Sequence, residues 1–132
     1  MTALDLRLLY ISAVEMGLDN ADCLLLPNAH LWCNGIGADW MPEILCDLIS
    51  TLNPTLKPVA AIHDVEYTIG GTEEDRKAAD DRFLENGLKA ANYTYGWYNP
   101  LRYRVRHQAY KYHALLTAFG SAAWKYTDEK ND

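Results

Sequence analysis

The chain has 132 residues, 49% of them hydrophobic and 11% aromatic, which is the composition of a folded globular protein and not of a disordered one. Its net charge is -6 and it carries no dense basic run, which argues against nucleic acid as a partner. Cys23, Cys33 and Cys46 are too few for a disulfide framework and lack metal-type spacing, so reduced, mostly buried thiols are expected.

The length favours one domain spanning residues 1–132, and the pattern along it is helical. Residues 3–17 repeat Leu4, Leu8, Ile11 and Met16 at an approximate helical period, predicting a first helix. "LPNAHLWCNGIGADWMPE" follows, where Pro27, Asn28, Asn34, Gly35, Gly37 and Pro42 interrupt any period and predict a shaped loop. A short helix is expected over about 43–51. Pro58 suits the first turn of the next helix, which contains "VAAIHDVEYTI" and ends at Gly70-Gly71.

Thr72 is a good cap for the following helix, with Glu73, Glu74 and Asp75 near its positive end. That helix is expected to reach about Tyr93, burying Ala79, Phe83, Leu84, Gly87, Leu88 and Ala91. "YGWYNP" forms a turn, and a last helical segment runs from Leu101 to about Trp124. The expected fold is all-α, with two long antiparallel helices joined at 70–71, a glycine-rich loop before them and a C-terminal helix after them. The beginning of the chain lacks the pattern of a signal peptide, and no apolar run is long enough to cross a bilayer. A cytoplasmic location as synthesised is the expectation.

The chemistry-bearing stretch is "IHDVEYTIGGTEEDRKAADDRF". On a helix His63 and Tyr67 share a face, while Asp64 lies about one hundred degrees round. A histidine is suited to take a proton from water, a carboxylate to bind a hard cation, and a second carboxylate to orient the imidazole. Asp80 and Asp81 are both placed to be that second carboxylate. Residue types and spacing alone leave the bland alternative open: a buried structural histidine, a surface Asp64, a packing tyrosine, and Asp80 and Asp81 solvating a helix beside Arg76, Lys77 and Arg82.

The ordered set "CNGIG", "HDVEY" and "AADDRF" resembles the phospholipase A2 superfamily, especially its disulfide-poor viral and phage-associated branch. The resemblance covers roughly residues 31–93. It implies that His63 is the general base, Asp80 the acid that hydrogen-bonds it (preferred over Asp81), and Tyr67 a support of that network. It further implies a calcium ion held by Asp64 and by the backbone carbonyls of Cys33, Gly35 and Gly37. The implied activity is hydrolysis of the sn-2 acyl ester of phospholipids at a transiently bound membrane surface, with a phage particle or lysis components as associated partners. Ala60 and Ala61 precede the His-Asp pair where secreted relatives carry cysteines, so packing must fix the helices here.

Trp32, Trp40 and Met41 flank the glycine loop and suit either a lipid-facing rim or the core. Arg102, Arg104, Arg106 and Lys111 spread over several faces of the last helix, and His107 and His113 lack ligand spacing. Two other functions fit less of the pattern. A His-Asp metal phosphohydrolase would use His30 but leaves "AADDRF" unexplained, and a non-enzymatic phage structural or accessory protein would keep only the helical scaffold.

Overall fold

The structure is a computed structural model that describes residues 2–27, 29 and 52–127. The expected short helix at 43–51 and the glycine loop lie outside the described residues. Four α-helices account for the described fold, and no strand occurs among the described residues. They are α1 (Ala3–Glu15), α2 (Lys57–Ile69), α3 (Glu73–Thr94) and α4 (Pro100–Phe119). The described residues are all-α, as expected.

Thr2 starts α1 through a capping box. Its hydroxyl accepts the Asp5 amide at 3.1 Å, and Asp5 returns a carboxylate oxygen to the Thr2 amide at 3.2 Å. The helix forms where its period predicts, and packing sets the face it buries. Leu6 and Ala13 are buried, whereas Leu4, Leu8 and Ile11 are exposed. Both sides of the helix are apolar, so the period fits either one, and only packing against α2 decides. A 3-10 turn at Ala21–Leu25 follows and buries Ala21, Cys23 and Leu24. The Cys23 thiol is buried and directed at the Ile62 carbonyl at 3.9 Å.

Pro58 sits in the first turn of α2, where its missing N–H costs nothing. The helix ends at Gly70, and Thr72 opens α3 with a second capping box to Asp75. Contacts then run in opposite directions along the two helices. His63 meets Phe83 and Asp80, while Tyr67, a turn later, meets Asp80. That is the expected antiparallel hairpin. Its core is closed on the far side by α4, where Gly87 of α3 faces Ala109; a Cβ at Gly87 would lie 2.8 Å from the Ala109 Cβ.

The end of the chain departs from the expected continuous helix. α4 stops at Phe119, a 3-10 turn covers Gly120–Ala122, and residues 124–127 fold back over the α2–α3 turn. The Gly71 amide donates to the Lys125 carbonyl at 2.9 Å, and the Thr127 amide and the Trp124 indole N–H both donate to the Gly71 carbonyl. Gly70 carries a φ of 73°, and a Cβ there would stand 2.0 Å from the Lys125 carbonyl oxygen. Gly70→Ala is therefore expected to cost about 1–3 kcal/mol through left-handed strain plus this clash. Urea denaturation would read the change, and an unchanged midpoint would show that the tail does not clamp the turn.

Candidate functional site

His63 and Asp80 are brought together by the helical hairpin. On α3, Arg76, Ala79, Asp80, Phe83 and Gly87 share the buried face, which aims Asp80 at α2. The His63 Nε2 lies 2.9 Å from Asp80 Oδ1, and both side chains are 4% exposed. The Tyr67 hydroxyl donates to the same Asp80 oxygen at 2.6 Å. Asp81, one residue on, points elsewhere and meets His113 of α4 at 2.9 Å. Helix phase thus separates two adjacent aspartates, one inside and one on the surface.

Asp80 has a third partner that the sequence reading treated as a balancing surface charge. Arg76 is only 6% exposed, and its Nη1 donates to Asp80 Oδ2 at 3.2 Å and to the Leu116 carbonyl at 3.3 Å. Its outer edge forms a fork with Glu73, at 2.6 Å for the shortest contact, and Glu73 also accepts the Tyr126 hydroxyl. The carboxylate is thereby held at both oxygens, Oδ1 by His63 and Tyr67 and Oδ2 by Arg76. Charge-assisted bonds of this type fix orientation as well as adding energy. The i, i+4 spacing of Arg76 and Asp80 was the signal available in the sequence.

Aromatic rings complete the surroundings. The His63 ring is tilted against Tyr67 at a centroid distance of 4.3 Å and is edge-on to Phe83 at 5.4 Å, and Phe83 stacks on Tyr112 at 4.4 Å. Trp124 meets Tyr67 edge-on at 4.9 Å. Gly120 has no room for a side chain, since a Cβ would lie 2.4 Å from the Tyr67 hydroxyl oxygen. Burial, then the hydrogen bond to Asp80, holds the Tyr67 hydroxyl firmly protonated, so it acts as a donor. Neither Tyr112 nor Trp124 was singled out for the site from sequence, because their contacts are made between distant segments.

Asp64 follows His63 on α2 and is half-buried. Burial, followed by the charges of Asp64 and Asp80, keeps the Tyr112 hydroxyl protonated. Asp64 supplies the hard oxygen that calcium prefers. The carbonyls of Cys33, Gly35 and Gly37 lie outside the described residues, as do His30, Trp32, Trp40 and Met41. Among the described residues no group of three His, Cys, Asp or Glu side chains is gathered for a metal.

Glu66, three residues after His63, is a second buried acid. Its carboxylate takes Arg82 as an ion-pair partner through Oε2, and the Asn20 side chain is a further hydrogen-bond partner. Burial outweighs Arg82 and pushes its carboxyl from 4.5 up to about 7. The folded chain therefore holds a proton that the unfolded chain has released, and stability falls as pH rises through that window. The expected loss between about pH 5 and pH 8 is up to about 3 kcal/mol. Denaturant titrations across this range should show the slope, and Glu66→Gln should flatten it; an equal slope in both proteins would assign the dependence elsewhere.

Comparison with known proteins finds no matching family model, no similar curated protein and no similar solved structure. The functional reading rests on the chain's own residues and the sequence resemblance. Among the described residues, no helix is long and apolar enough to cross a membrane.

Proposed function

We propose that the chain is a calcium-dependent, phospholipase A2-like hydrolase that cleaves the sn-2 acyl ester of phospholipids. The observation that carries this reading is the buried His63 Nε2–Asp80 Oδ1 contact at 2.9 Å, set on adjacent antiparallel helices. It is the contact that the resemblance to the disulfide-poor viral and phage-associated branch requires.

In this reading Asp80 holds the proton on Nε2 of His63, which leaves Nδ1 to accept a proton from the attacking water. As the imidazole becomes positive, Asp80 offsets the charge. Tyr67 and Arg76 keep the carboxylate from rotating away. Calcium, when bound by Asp64 and the carbonyls of Cys33, Gly35 and Gly37, supplies positive charge for the lipid phosphate and for the developing oxyanion. The products are a lysophospholipid and a fatty acid. Trp32, Trp40 and Met41 are assigned to transient contact with the phospholipid surface, and a phage particle or lysis components to delivery.

One observation favours a second, non-enzymatic reading. His63 is 4% exposed, and a network this closed also serves as a structural lock between α2 and α3. A phage structural or accessory protein retaining the scaffold would keep that lock without turnover. Vesicles labelled separately at the sn-1 and sn-2 chains distinguish the two. Hydrolase action releases the sn-2 label in calcium and stops with chelator, whereas release of neither label supports the structural reading.

The ion assignment has its own test. Calorimetric titration is expected to show calcium binding that Asp64→Asn weakens by at least about tenfold, since it removes the charged ligand. Equal binding by the two proteins would place the ion elsewhere.

A further inference from the structure

Charge is divided unevenly along the chain. Residues 86–127 contain Lys89, Arg102, Arg104, Arg106, Lys111 and Lys125 and no acid, while the remainder holds six cations against all eighteen acids. The fold sets much of the basic part on one outer helix. The outer side of α4 is an aromatic ridge, in which Tyr103, His107 and Tyr110 recur at i, i+4 and i+7 and are exposed. They lie opposite the buried Val105, Ala109, Tyr112 and Leu116. Arg104 and Lys111 are exposed on one flank of the ridge, and Arg106 lies on the other. Arg102 and Arg106 both donate to the neutral Asn92 Oδ1, at 2.8 and 3.0 Å, so that partner cancels neither charge. The Trp97 carbonyl accepts the Tyr103 hydroxyl at 2.7 Å, which sets Trp97 and Tyr98, each 75% exposed, at the end of the ridge.

α1 carries a face of the same spacing and the opposite charge. Leu4, Leu8 and Ile11 also recur at i, i+4 and i+7, are each more than half exposed, and lead to the exposed Glu15 one turn on. Asp5 is exposed beside them, Arg7 is the one cation of the helix, and the exposed Asp19 and Asp22 follow. An apolar stripe left open on a helix is suited to packing against another helix. Within one chain α1 packs on α2 and α4 on α3, and both outer faces stay open. A lipid surface would suit the basic, aromatic face of α4 but would leave the acidic face of α1 uncovered. A second copy of the chain covers both. We propose that the α4 face of one copy docks on the α1 face of the next, tyrosines against leucines, with Arg104 and Lys111 beside the acids of α1. The two faces differ, so each docked copy keeps one face open, and the contact propagates head to tail.

The inference is independent of the hydrolase reading, since neither face includes His63, Asp64, Tyr67 or Asp80. Its test is sedimentation velocity of the full chain. One helix face on another makes a small interface, so a dissociation constant of about 10–100 µM is expected. The average mass should rise above that of one chain by about 500 µM, and should fall again as salt is raised from about 0.05 to 0.5 M. Two variants, changed only at exposed side chains, separate the faces: Arg104→Glu with Lys111→Glu on α4, and Leu8→Glu on α1. Each alone should remain a single chain at every concentration. Their equimolar mixture should form one-to-one pairs and nothing longer, because each supplies the face that the other lacks. A native chain that stays single at about 500 µM would overturn the proposal, and if it then sediments with anionic vesicles the α4 face belongs to a lipid surface instead. Association of either variant alone at the native strength, or failure of the mixture to pair, would overturn it equally.

Discussion

His63→Ala is expected to lower sn-2 ester turnover by about a hundred- to ten-thousand-fold, the usual contribution of a positioned general base. The fold should survive, because Asp80 keeps the Tyr67 hydroxyl at 2.6 Å and the Arg76 guanidinium at 3.2 Å. Calcium binding should survive as well, since the proposed ligands are Asp64 and loop carbonyls. Loss of turnover combined with retained calcium binding and an unchanged circular dichroism spectrum separates a catalytic role from a structural one. A variant that hydrolyses lipid at the native rate would remove His63 from the mechanism.

The second large effect is on stability. Arg76→Met is expected to cost about 3–5 kcal/mol, the cost of removing one partner from a buried ion pair. Asp80 Oδ2 loses its guanidinium donor, while the Leu116 carbonyl and the Glu73 carboxylate each lose one donor and keep another, the Gly120 amide and the Tyr126 hydroxyl. Arg76→Lys keeps the charge but not the planar fork, and should lose less. Because Arg76 also fixes Asp80, turnover in Arg76→Lys is expected to fall more than stability does. Denaturant midpoints and vesicle kinetics on the same preparations provide the comparison. A loss below about 1 kcal/mol in Arg76→Met would show the guanidinium to be replaceable by water.

The parts of this fold that were legible in the sequence are those set locally. Pro58, Gly70-Gly71 and Thr72 mark the hairpin because each has a backbone preference that its neighbours cannot override. Helix phase then brings His63 to Asp80 and sends Asp81 to His113. α1 was legible as a helix but not in orientation, since Leu4, Leu8 and Ile11 form as good a stripe as the buried Leu6 and Ala13. The pattern from Leu101 onward reads as one helix through Trp124. Nothing local reveals that the Trp124 indole finds its acceptor on Gly71, 53 residues earlier. Arg76 was visible as a charge, but its burial depends on α4 bringing the Leu116 carbonyl over it.

The most direct test of the hydrolase assignment is fatty-acid release by the purified native chain from mixed anionic and zwitterionic vesicles in millimolar-scale calcium, repeated with chelator and with His63→Ala as the blank. The proposed function predicts release of the sn-2 chain that depends on calcium and disappears in the blank. Absence of release from both vesicle types, or release that His63→Ala sustains equally, would contradict it.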